Sequence, residues 1–120
     1  MKNYFLDTSF LIDLMKSKKK AIRTHEEIKG REVTGSPCIY ELSKFTEFNL
    51  EKLFINKRVL KFTVSDAQEA GDIYYELSQK GDLIGEMDLI IAGMVRNRNV
   101  ELITKDDDFK EIEGIDLRLY

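Results

Sequence analysis

Four carboxylates occupy positions where a solvated surface residue is not expected. Asp7 closes the apolar run Tyr4-Phe5-Leu6, and Glu41 lies one turn into a segment that opens with Ser36-Pro37. Asp88 has Ile91, Ala92 and Val95 three, four and seven residues on, which puts them on its own side of a helix. Asp106 lies in Thr104-Lys105-Asp106-Asp107-Asp108-Phe109, which directly follows the strand expected over Val100 to Ile103. Each has a plain structural use. Asp7 suits a cap or Asx turn, Glu41 an exposed helix position, Asp88 a salt bridge to an Arg, and the Asp run a helix start. Glu86, two residues before Asp88 and so on another face, belongs to a rim or to the preceding loop.

Taken together the four point to metal chemistry. Oxygen ligands without His or Cys suit Mg²⁺ or Mn²⁺. Converging carboxylates with no cation would repel one another and raise their pKa values. A divalent ion removes that penalty, binds phosphate oxygens and activates water for in-line attack on a phosphodiester. A calcium loop does not fit, because the Gly it needs at its sixth position is Glu111 when counted from Asp106. The chemistry expected is metal-assisted phosphodiester hydrolysis.

The elements that must position these groups can be read from the apolar pattern. Tyr4–Leu6 predicts a buried strand, followed by a helix through Phe10, Leu11, Leu14 and Met15 with Thr8 or Ser9 as its cap. A charged helix over about 20–29 stops at Gly30, and Glu32-Val33-Thr34 reads as a strand. Ser36-Pro37 opens a helix through Ile39, Leu42, Phe45 and Phe48. A helical turn from Leu50 to Ile55 leads to a strand over 59–62. Ser65 and Gln68 form a capping box for a helix ending at Gly81. The segment Glu86–Arg98, apolar almost all round, predicts a buried helix. Strands over 100–103 and 117–119 complete an α/β domain with a mostly parallel sheet, in which ligands gather beyond the carboxyl ends of the strands.

Composition narrows the alternatives. The 120 residues fit a single domain spanning 1–120. The only cysteine, Cys38, rules out an internal disulfide framework and reads as a small buried thiol. The only histidine, His25, is expected to be exposed and dispensable. No run approaches a membrane span and the start lacks a signal-peptide pattern, so a cytoplasmic location without membrane association is expected. The net charge is −3, but Met15–Arg31 is rich in Lys and Arg whereas Asp82–Asp116 is acidic. Lys16, Lys18, Lys19 and Lys20 suit either a solvated helix end or the steering of RNA by charge. With the four acids set aside as ligands, the remaining charges nearly balance, so a nucleic-acid partner is not disfavoured.

The strings FLDTSFLIDLM, SPCIYEL, GEMDLIIAGMV and LITKDDDF, in this order, resemble the PIN-domain family, most closely its VapC-type toxin ribonucleases. The resemblance spans residues 4–109. It implies a three-layer fold and an Mg²⁺- or Mn²⁺-dependent endoribonuclease whose metal and catalytic acids are Asp7, Glu41, Asp88 and Asp106. Ser9 and Thr104 match hydroxyl positions that orient the carboxylates, and Asp108 assists or substitutes for Asp106. It further implies a homodimer and a VapB-like antitoxin lying across the active-site groove, with Phe10, Phe45, Phe48 and Phe54 as surface or core residues. A PIN nuclease of RNA maturation or decay without an antitoxin is the alternative. So is a binding module without chemistry, which the four filled acidic positions disfavour. Phosphotransfer domains of the receiver or dehalogenase type would need an Asp-x-Asp after strand one or an Asp ending strand three. Asp7-Thr8-Ser9 and Phe62-Thr63-Val64 supply neither.

Overall fold

The computed structural model describes residues 2–45, 47, 49–54 and 57–120, without the side chains of Leu53 and Phe54. Five strands form one sheet: β1 (Tyr4–Leu6), β2 (Glu32–Gly35), β3 (Arg58–Leu60), β4 (Glu101–Thr104) and β5 (Asp116–Leu119). Their order is β3-β2-β1-β4-β5, and every pairing is parallel. Central β1 places Phe5 and Leu6 at zero exposure, which is why its run is apolar without alternation. The crossovers from β1 out to β3 run through α1 (Thr8–Met15), α2 (Lys19–Ile28), α3 (Ser36–Ser43) and α4 (Leu50–Phe54). The chain then returns through α5 (Val64–Lys80) and α6 (Glu86–Arg98) to β4 on the other side of β1. A 3₁₀ turn over Asp107–Glu111 joins β4 to β5.

The apolar α6 is the buried helix expected, with Ile91, Ala92, Met94 and Val95 fully enclosed. Ile91, Met94 and Val95 each contribute roughly 1.5–3 kcal/mol by leaving water. It packs so closely on α5 that a Cβ at Gly93 would lie 2.7 Å from Cβ of Ala70 and from the Asp66 carbonyl oxygen. Glycine is therefore required there. The start of α5 is tied to the end of α6 through Asp66, whose buried carboxylate accepts from Arg98 Nη2 at 2.9 Å and Asn97 Nδ2 at 2.8 Å. These bonds hold its pKa down at about 2 despite burial.

Several local expectations are corrected. The capping box of α5 is Thr63 with Asp66, not Ser65 with Gln68, because Asp66 is also drawn inward by Arg98. α3 stops at Ser43 rather than running through Phe45: Lys44 N–H and Phe45 N–H bond three residues back, which tightens and ends the helix. Phe45 is exposed and Phe10 is core. Phe48 and Ile55 lie outside the described residues, as does the Phe54 side chain. His25 is half-buried rather than exposed, and its Nε2 lies 2.8 Å from Glu32 Oε1. Cys38 is buried as expected, and burial pushes its thiol up to about 11. Among the described residues, no helix is long and apolar enough to cross a membrane.

Candidate active site

β1 is flanked by β2, reached first, and by β4, reached only after the chain has crossed the sheet. The crevice beyond the carboxyl ends of β1 and β4 is therefore the topological switch point, where open α/β sheets bind ligands. The register Leu6↔Ile103 sets Asp7 next to Thr104. Asp7 N–H donates to the Ile103 carbonyl at 3.1 Å, extending the ladder by one residue.

Asp7 is both the cap of α1 and the centre of a hydroxyl cluster. Its Oδ1 accepts from Thr8 N–H at 2.8 Å, so Asp7 caps the helix that Thr8 or Ser9 was expected to cap. Its Oδ2 accepts from Thr104 Oγ1 at 2.6 Å and Ser9 Oγ at 3.3 Å. Burial raises the Asp7 pKa, and these three donors oppose the rise. Thr104 Oγ1 in turn accepts from Asp106 N–H at 3.1 Å. One hydroxyl thus ties together the first and last of the four candidate acids.

Glu41, half-buried on α3, accepts from Thr8 Oγ1 at 2.6 Å, and its charge bears on Asp7. Thr8 was missed in the sequence. Its signal was a hydroxyl directly after the strand-ending acid, at the first position of a helix that another residue caps. Asp88 enters from the first turn of α6, half-buried. Burial is the largest cause that pushes its carboxyl up to about 7. The charges of Asp106 and Asp7, a hydrogen bond with Asp106, and the Glu41 charge add to it. Asp88 thus feels the charge of each of the other three sequence-predicted acids.

The salt-bridge alternative for Asp88 fails. Arg96 of the same helix binds Glu69 and Glu76, and Arg98 binds Asp66. Among the described residues, no Lys or Arg makes an ion pair with Asp7, Glu41, Asp88 or Asp106. Asp106 Oδ1 accepts from Asp108 N–H at 2.9 Å and so caps the 3₁₀ turn. Asp88, Asp106 and Asp108 present oxygens within 4.8 Å of one another, a group able to hold a metal ion. The exposed Glu86 and Asp107 stand outside this cluster. An all-oxygen, mutually repelling donor set fits a hard divalent cation.

An all-parallel sheet with acids gathered at its switch point narrows the class, and comparison with known proteins fixes it. The chain matches the PIN domain over residues 4–115 and belongs to the PIN-domain family. It is 28% identical to the tRNA(fMet)-specific endonuclease VapC of Shigella flexneri, with 96% of each chain covered. Its identity to the protein of the same name in Salmonella typhimurium is 31%, again over 96% of each chain. Among solved structures, the DNA-bound VapBC from Salmonella typhimurium shares its fold, with a TM-score of 0.86, 23% identity and 98% of each chain covered.

Proposed function

We propose that this chain is a metal-dependent endoribonuclease, the VapC-type toxin of a toxin–antitoxin pair acting in the cytoplasm. The observation that carries the reading is Asp88. It is a half-buried carboxylate held up by burial and by the charges of Asp106, Asp7 and Glu41, with Asp108 also within reach, an arrangement that a bound cation makes favourable. Asp7, Glu41, Asp88 and Asp106 would hold Mg²⁺, or Mn²⁺ in its place, with Asp108 alongside. When bound, such a cation neutralises the carboxylates, takes phosphate oxygens and supplies an activated water for in-line hydrolysis of the phosphodiester.

The chain's own contribution is placement. Thr104 and Ser9 fix the orientation of Asp7, Thr8 fixes Glu41, and the Thr104 hydroxyl sets the Asp106 loop against Asp7. Such supporting hydrogen bonds typically tune metal affinity tenfold or more. The two VapC relatives are named for cleavage of an RNA, which supports RNA as the substrate. The VapBC likeness supports a VapB-like antitoxin as partner, while a homodimer is what the family resemblance alone implies.

Purified protein incubated with RNA and Mg²⁺ should cleave internal bonds, stop on addition of EDTA and recover with Mn²⁺. Co-expression with the product of a small adjacent gene should silence it. Absence of metal-stimulated cleavage across varied RNAs would overturn the reading. Cleavage that no adjacent gene product inhibits would remove the toxin assignment and leave the nuclease.

A further inference from the structure

A second cleft, of about 550 Å³, opens beside the acid site. Its floor is Asp13, whose Oδ2 accepts from Lys105 Nζ at 3.0 Å and from the Tyr120 hydroxyl at 2.9 Å. Its rim carries Lys18, Lys19, Lys20 and Arg23. Lys105 and Tyr120 already satisfy the one acid in the cleft. The four rim cations have no ion-pair partner among the described residues, whereas Arg96, Arg98 and Arg118 are each committed to carboxylates. Lys16, the first of the basic run, is not part of this lining.

The cleft and the acid site share walls. α1 holds Ser9 against Asp7 and, one turn on, Asp13 at the cleft floor, about 6 Å further along the helix axis. Lys105 lies between Thr104 and Asp106, and Tyr120 N–H donates to the Thr104 carbonyl at 3.2 Å. A chain running out of the acid site on this side meets concentrated positive charge at once. A polyanion whose charge repeats along its backbone suits a row of separate Lys and Arg heads, which engage phosphates without regard to sequence.

We propose that this cleft carries the RNA backbone that adjoins the scissile phosphate, with Lys18, Lys20 and Arg23 as phosphate contacts. It rests on the reading of the acid site as a ribonuclease centre. Lys19 and Lys105 add to the field, and Asp13 keeps the Lys105 head at the floor instead of over the carboxylates.

The test compares wild type, Lys18→Gln/Lys20→Gln/Arg23→Gln, and a charge-matched control, Lys29→Gln/Lys52→Gln/Lys61→Gln, in which every altered residue lies outside the cleft. Binding of a short fluorescein-labelled single-stranded RNA is followed by anisotropy in EDTA, which needs no turnover. Cleavage is followed separately in Mg²⁺. The cleft variant should lose about 2 from the slope of log affinity against log salt, at about 0.7 per phosphate contact on single strands. Its KM should rise roughly tenfold while kcat stays within about twofold, because phosphate contacts remote from the reacting bond bind ground and transition states alike. The control should behave as wild type.

Equal slopes and KM in cleft variant and wild type would overturn the proposal. Equal losses in both triple variants would also overturn it, by showing a diffuse field. Unchanged RNA kinetics with lost antitoxin inhibition would reassign the cleft to a protein partner. Cleft-dependent RNA binding by a wild type that never cleaves would sink the nuclease reading and leave the cleft standing.

Discussion

Replacing Asp88 with Asn should abolish cleavage and yet make the metal-free protein more stable above neutral pH. The ordinary carboxyl value is 3.8, and in the fold Asp88 titrates at about 7. At 1.36 kcal/mol per pH unit that difference is ~4 kcal/mol. Water still reaches part of the side chain, so screening reduces the figure to about 2 kcal/mol. The sign follows from proton linkage. The folded protein binds this proton more tightly than the unfolded chain, so stability is undiminished below pH 3.8. It falls as pH climbs towards 7 and then levels. Asp88→Asn has no such proton and keeps its full stability throughout. In EDTA at pH 8 its melting temperature should exceed wild type by roughly 6–12 °C, and the gap should close near pH 4. Circular dichroism melts across that range measure it, and added Mg²⁺ should raise the wild-type melting point only. A variant no more stable than wild type at pH 8, or a gap that does not change with pH, would refute the claim that burial, together with the neighbouring like charges, holds the Asp88 carboxyl up.

Thr104→Val removes both the donor to Asp7 and the acceptor for Asp106 N–H. Its Mn²⁺ affinity by titration calorimetry should fall roughly 10–100-fold, with Thr104→Ser close to wild type; equal affinities would mean that the hydroxyl bridge does not position the acids. Asp66→Asn should destabilise by about 2–4 kcal/mol at pH 7, read from the urea midpoint, because Arg98 loses its buried partner. The Asp66 carboxyl is depressed to about 2, so its stabilisation is present above pH 3.8 and lost as pH falls through 2. Variant and wild type should therefore converge in strong acid, and a gap that survives at pH 2 would count against the ion pair.

Element types and order were legible wherever burial is one-sided or complete, as in Tyr4–Leu6 and the apolar α6. What escaped was decided by tertiary choice between equal local signals. Thr63-x-x-Asp66 and Ser65-x-x-Gln68 are overlapping caps, and only Arg98 and Asn97, some thirty residues on, select the first. The period of Ile39, Leu42 and Phe45 continues past Ser43, although the hydrogen bonds do not. Asp88 stood out because a carboxylate among apolar neighbours is costly on its face, whereas Glu41 was singled out only through the family resemblance. Thr8 and the Asp13–Lys105–Tyr120 network were not readable, since a hydroxyl or an ion pair declares nothing until its distant partner is placed.

Thr104 and Asp7, joined by one hydrogen bond, stand 97 residues apart. A chain growing from its amino end displays Asp7, Thr8 and Glu41 early, with β1 paired on one side only. The remaining edge of β1 stays open until β4 emerges and zips alongside it, bringing Thr104 and Asp106 into place. On the proposed metal site, a half-made copy lacks Thr104 and Asp106 and cannot cut. Cutting power arrives late and all at once, which suits a protein that would otherwise attack RNA during its own translation.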